Sequence, residues 1–81
     1  MRPAYPSPAS GYMVQIAAVL HAEDANVLVN ALRNRGFAAT AQRMPSDGLV
    51  HVRIGPFATH EEASQMSARL LGDGYNAMVQ P

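Results

Sequence analysis

Cysteine is absent from the chain, which excludes disulfides, thiol catalysis and thiolate metal sites while leaving an envelope or a cytosolic location open. An excess charge of either sign is also missing. Six basic and six acidic side chains cancel, so no general electrostatic attraction to nucleic acid or to an anionic membrane is built in. No apolar run approaches the roughly 20 residues of a membrane span, and no signal-peptide pattern is visible. The histidines His21, His51 and His60 show no metal-ligand spacing. Serines fall in the leader, a turn and a helix, and no nucleophile–base pair stands at recognisable spacing. The expectation is therefore a protein that is not an enzyme and has no cofactor or metal. At 81 residues there is room for one domain with one modest core, in the size range where only about 60% of the unfolded surface is buried.

What the chain does have is a gapless internal repeat. The segment 14–42 lies on 52–80 at a constant offset of 38 residues, with eight identical pairs: Val14/Val52, Ile16/Ile54, Glu23/Glu61, Ala25/Ala63, Leu32/Leu70, Gly36/Gly74, Ala39/Ala77 and Gln42/Gln80. Self-similarity at a fixed period means one supersecondary unit used twice, each copy burying its apolar face against the other.

Each unit reads strand, helix, strand. VQIAAV and VRIGPF are short and β-branched, with Val14 and Ile16, or Val52 and Ile54, alternating with Gln15 or Arg53 as a half-buried strand requires. Thr59 followed by Glu62 is a capping-box pattern, with Glu61 and Glu62 in the first turn where the helix dipole favours acid. His21 holds the equivalent place in the first copy and is a poorer cap. Ala25, Leu28 and Leu32, and in the second copy Ala63, Met66 and Leu70, form stripes that face the sheet. Gly36 and Gly74 stand where a left-handed residue ends a helix, and Phe37 and Tyr75 supply the apolar contact that accompanies such a cap. A second strand follows in each unit, over about Ala38 to Met44 and Asn76 to Gln80.

Pro45-Ser46-Asp47-Gly48 is a turn by composition, which makes the second and third strands a hairpin. With right-handed crossovers in both halves the fold class is α+β: a ferredoxin-like βαββαβ layout with a four-stranded antiparallel sheet, two helices on one face and a pseudo-two-fold axis between central strands one and three. Residues 1–11 are Pro-, Ser- and Ala-rich and read as a linker. Residues 12–81 form the domain, expected to be a monomeric module at the carboxy-terminal end of a longer protein.

Tyr12-Met13-Val14-Gln15-Ile16, the helix end Leu32-Arg33-Asn34-Arg35-Gly36-Phe37, then Val50-His51-Val52-Arg53-Ile54-Gly55-Pro56-Phe57 and the helix start Glu61-Glu62-Ala63 together resemble the SPOR domain, the sporulation-related repeat of bacterial envelope proteins. The resemblance covers Tyr12 to about Gln80. It implies the ferredoxin-like fold and a non-catalytic module that binds peptidoglycan, in particular denuded glycan strands stripped of stem peptides, and that directs a larger envelope or cell-division protein to the septum in the periplasm. Where the family usually carries a Gly-Ser-aromatic run after its first strand, this chain has Ala17-Ala18-Val19.

Period-two alternation assigns the open face independently of that resemblance. If Val14, Ile16, Val52 and Ile54 pack under the helices, then Met13, Gln15, His51 and Arg53 point outward on the central strands. Ala39, Ala41, Ala77 and Val79 go in by the same logic, leaving Thr40, Gln42, Met78 and Gln80 out. Amides, a guanidinium, an imidazole and thioethers suit a neutral-to-anionic carbohydrate: Gln donates and accepts, Arg grips a carboxylate bidentately, and Met gives an adaptable apolar floor. The expected glycan contacts are Met13, Gln15, Thr40, Gln42, His51, Arg53 and Met78. Taken alone, Gln15, Gln42 and His51 are ordinary exposed strand residues, no carboxylate is expected on this face, and Arg53 has the alternative of pairing with a neighbouring acid. A protein-interaction module and an RNA-binding module share the layout. The second would place base-stacking aromatics on the central strands, where this chain has none, so the partner expected is glycan, with no nucleic acid and no membrane contact by this segment.

Overall fold

The computed structural model describes residues 11–81, so the linker expected over residues 1–11 lies, but for Gly11, outside the described residues. Six elements follow the repeat: β1 (Tyr12–Val19), α1 (Ala22–Asn34), β2 (Ala39–Arg43), β3 (Val50–Phe57), α2 (His60–Gly72) and β4 (Met78–Gln80). They build one antiparallel sheet in the order β2-β3-β1-β4. The copies of one strand, β1 and β3, are thus the central neighbours, and Gln15 and Arg53, equivalent in the repeat, are partners across them.

The core lies between the sheet and the helices. Val14, Val52, Leu32 and Leu70 are fully buried, with Ile16, Ile54, Phe37, Ala25 and Ala63 around them. The apolar stripe of each helix is wider than the expected one. Val29 and its repeat equivalent Ser67 are buried, whereas Leu28 and Met66 are only partly so. A core-facing stripe takes positions i, i+3, i+4 and i+7, which adds 29 to 25, 28 and 32. Ser67 is tolerated there because its Oγ donates to the Ala77 carbonyl at 3.1 Å, which satisfies the buried hydroxyl and ties α2 to the chain entering β4.

The helix ends match their sequence signals. Thr59 Oγ1 accepts the Glu62 backbone N–H at 3.1 Å, while His21 makes no side-chain cap bond. At the other end Phe37 N–H donates to Leu32 O and Gly36 N–H to Arg33 O, and Tyr75 to Leu70 O and Gly74 to Leu71 O. These are paired Schellman closures with glycine at positive φ (91° and 93°). The outer strands are shorter than expected. Ala41 faces inward by register, opposite Val52, yet is exposed, because it sits on an edge strand and its methyl group is too short to reach beneath α1. Ala77 precedes β4 and is half-buried, as is Val79.

Two register shifts interrupt the β1–β3 ladder. In one, β1 carries Ile16 as an extra residue between Gln15 and Ala17; in the other, β3 carries the extra residue at Gly55-Pro56 opposite Met13. After the first, Ile16 and Ala17 both lean inward and Ala18 pairs with His51 on the outer side. At the second, Gly55 has φ 136°, and a Cβ there would meet the Tyr12 carbonyl oxygen and Met13 Sδ, both at 3.0 Å. The sulfur can move; the backbone oxygen cannot. Gly55→Ala is therefore expected to destabilise by about 1–3 kcal/mol, read as a lower urea midpoint with an unchanged slope. An unmoved midpoint would mean that this close approach is not a constraint.

Candidate functional site on the open sheet face

Because both helices pack on one side, the other face of the sheet stays uncovered among the described residues. The registers align a row across all four strands: Thr40 opposite Arg53, Arg53 opposite Gln15, and Gln15 opposite Met78. Thr40 and Met78 at the edges are exposed, Met78 to 64%, and Arg53 and Gln15 at the centre are half-buried. A second row holds Gln42, His51 and Ala18, and Met13 pairs with Gln80 beyond Gln15. All seven expected contact residues share this face.

Hydrogen bonds organise the rows. Arg53 Nη2 donates to Gln42 Oε1 at 3.0 Å and lies 4.0 Å from Met44 Sδ. Thr40 Oγ1 donates to the Arg53 carbonyl at 3.4 Å. No carboxylate pairs with Arg53; the ion pairs among the described residues are Arg35–Asp73 and His51–Asp47. The guanidinium is held by a neutral amide with its charge uncompensated, and the remaining N–H groups are free to receive an acceptor.

His51 is not the plain exposed residue expected. It is half-buried, with Nδ1 2.8 Å from Gln15 Oε1 and Nε2 2.8 Å from Asp47 Oδ2. The expectation of a face without a carboxylate is corrected by the same contact: the hairpin turn curls Asp47 over the end of β3, four residues before His51. The turn is closed by Met44 N–H to Leu49 O, Gly48 N–H to Met44 O, and Arg43 Nη1 to Gly48 O at 2.7 Å. The other Asp47 oxygen, Oδ1, accepts the Leu49 backbone N–H at 2.9 Å.

That backbone N–H, followed by the His51 side chain, holds the Asp47 carboxyl below its ordinary pKa. A lowered folded pKa contributes stability that is present above the unfolded value of about 4 and is lost as pH falls through the folded value. Thermal unfolding of the wild type is therefore expected to drop faster than that of Asp47→Asn as pH is taken below about 4. Parallel curves would sink this assignment.

The Phe and Tyr rings among the described residues are committed to the core side: Phe37 is buried, and Tyr12, Phe57 and Tyr75 pack against the apolar cluster. Among the described residues the open face thus carries no Phe or Tyr ring. Two shallow concavities lie elsewhere, one between Pro56, Phe57 and the α2 residues Glu62, Met66 and Arg69, the other where α1 gives way to β2. The second borders Thr40 at the edge of the row, and neither touches Arg53, Gln15 or Met78. No group of three or more metal-ligating side chains occurs among the described residues, and no described helix is long and apolar enough to cross a membrane.

The family model for the SPOR domain matches residues 8–81. This chain belongs to the SPOR family. As a SPOR domain it is a non-catalytic binding module on the ferredoxin-like βαββαβ fold. It is similar in structure to the peptidoglycan binding domain of the B. subtilis cell wall lytic enzyme CwlC, solved in solution, with a TM-score of 0.80, 30% sequence identity, and coverage of 99% of this chain and 96% of that one. No curated protein sequence matches this SPOR domain. The family model begins inside the stretch that composition reads as linker, four residues before Tyr12.

Proposed function

We propose that this SPOR domain binds peptidoglycan through the open sheet face, that it prefers glycan strands stripped of their stem peptides, and that it carries a larger envelope protein to the septum, where such strands arise. Family membership and the likeness to a peptidoglycan binding domain support the ligand class. The observation that carries the finer reading is the uncompensated Arg53 guanidinium beside Gln15 in the central row. N-acetylmuramic acid bears an acetamide and a lactyl group, and removal of the stem peptide converts the lactyl amide to a free carboxylate. An Arg beside an amide NH2 offers two kinds of donor to that carboxylate and to the neighbouring acetamide carbonyl. The stem peptide would remove the negative charge and add bulk over a face only a few side chains wide. Thr40 supplies a hydroxyl at one end of the row and Met78 an apolar contact at the other.

Co-sedimentation with purified sacculi, intact or treated with an amidase, tests this reading. Retention should rise on the treated sacculi. Equal retention on both would remove the preference for stripped strands and favour a protein-interaction role for the domain.

A further inference from the structure

The described surface offers few places for chemistry beyond the central row. The exposed apolar residues Leu20, Val27 and Leu71 have nothing beside them that indicates a partner, and the two concavities lack a buried polar group. The chain Asp47–His51–Gln15 is different, because it runs from a hairpin turn into the middle of the open face through two contacts of 2.8 Å.

Building on the glycan-binding reading, we propose that Asp47 and His51 are positioning residues that set the hydrogen-bonding polarity of Gln15: when His51 is charged the Gln15 amide presents its NH2 to the ligand, and when His51 is neutral it presents its carbonyl.

Asp47 is the fixed end of this chain of contacts. Its carboxylate is acceptor-only when ionised, and its lowered pKa keeps it ionised at and above neutral pH. His51 Nε2 must then carry a hydrogen in either state of the ring. This leaves Nδ1 to change. In the imidazolium, Nδ1–H donates to Gln15 Oε1 and the NH2 of that amide turns away from the ring. In the neutral ring Nδ1 is a bare lone pair, and a carbonyl oxygen 2.8 Å away would face it acceptor to acceptor. A half-turn of the terminal amide removes the conflict. It exchanges atoms of nearly equal size about a torsion with a broad, two-fold profile, and leaves the NH2 donating to Nδ1 and the carbonyl outward.

The consequence falls on the ligand. Gln15 is the cross-strand partner of Arg53. With NH2 outward the pair forms a two-donor cradle for a carboxylate or acetamide oxygen; with the carbonyl outward, an acceptor stands where the ligand's oxygen must lie. Imidazole is the side chain whose ordinary titration falls between about pH 5 and 8, and a carboxylic acid titrates well below that window. The charged groups facing His51 are Asp47 in the turn and Arg53 two residues along β3. Its neighbours on β2 and β1, Gln42 and Ala18, do not titrate, and both helices lie on the opposite side of the sheet. A guanidinium does not deprotonate in that window, so the imidazole is the variable group.

Asp47→Asn gives the sharpest test. An asparagine can donate its NH2 to Nε2, which permits a neutral ring with the hydrogen on Nδ1. Gln15 would then keep its NH2 outward at alkaline pH as well. Wild-type binding to amidase-treated sacculi should fall about tenfold between pH 5.5 and pH 8, whereas Asp47→Asn should lose little and bind better than wild type at pH 8. His51→Phe, which lacks both ring nitrogens, should show no such pH dependence on the same sacculi. In NMR of the 81-residue chain the Gln15 side-chain NH2 signals should move with the same midpoint as the His51 ring. Gln15 signals indifferent to His51, or identical pH losses for wild type and Asp47→Asn, would overturn the proposal. Absence of sacculus binding at every pH would instead overturn the glycan reading, with the NMR titration still deciding the switch.

Discussion

Leu32→Ala and Leu70→Ala are each expected to lower the unfolding free energy by about 2–5 kcal/mol. The two leucines are equivalent in the repeat, both have no exposed surface, and both stand two positions before the last residue of their helix, where the backbone carbonyl accepts the N–H of Phe37 or Tyr75. Truncation removes buried methyl groups and leaves a cavity that neighbours fixed in a sheet cannot collapse to fill. Small domains hold roughly 5–15 kcal/mol in total, so either change consumes a large share and a double variant is expected not to fold. Leu71→Ala is the internal control: one residue further along, its side chain is 55% exposed, and its cost should stay within about 0.5 kcal/mol. Chemical denaturation of the three variants decides the matter. Equal costs for Leu70 and Leu71 would mean that the buried stripe has been assigned to the wrong face of α2.

Arg53→Ala is expected to reduce binding to stripped sacculi about tenfold or more, from the loss of charge-assisted hydrogen bonds worth about 1.5–3 kcal/mol. The fold should survive, because the guanidinium is half-buried, bonds to a neutral amide rather than a buried acid, and lies on the side of the sheet away from the core. Arg53→Lys sharpens the reading: it keeps the charge but not the planar fork, so intermediate binding is expected if two donors engage one carboxylate. At pH 5.5, where the Gln15 NH2 faces the ligand, Gln15→Ala should act in the same direction, since it removes the other half of the central pair. If Arg53→Ala and Gln15→Ala both bind as the parent does, the central row is not the site.

The sequence made some of these features legible and hid others, for reasons that are physical. The repeat alone set the strand order, because two copies of one unit place Gln15 and Arg53 on the two central strands, and alternation put both on the open face. Gly36 and Gly74 marked the helix ends because few other residues accept the positive φ found there. Ser67 was concealed by its polarity: a hydroxyl does not look like core until the Ala77 carbonyl that satisfies it is seen. Ala41 misled in the opposite sense, since register gives a side chain its direction but not its cover. Strict alternation past Ile16 would have sent Ala17 outward; the register shift sends Ala18 instead, and a methyl group there leaves His51 open to lean toward Gln15. Asp47 was the least visible of all. Its turn chemistry was clear from Asp-Gly, but that its carboxylate reaches back to His51 depends on how the hairpin curls.

The central claim is that glycan lies across the row of Thr40, Arg53, Gln15 and Met78. Mapping of backbone and side-chain NMR shifts on titration with muramoyl-containing glycan fragments free of stem peptides addresses it most directly. The account predicts that the largest changes fall on Arg53, Gln15, Thr40, Gln42 and Met78, with α1 and α2 unmoved. Changes concentrated on the helices or on the concavity around Phe57 and Met66, with the open face silent, would contradict it.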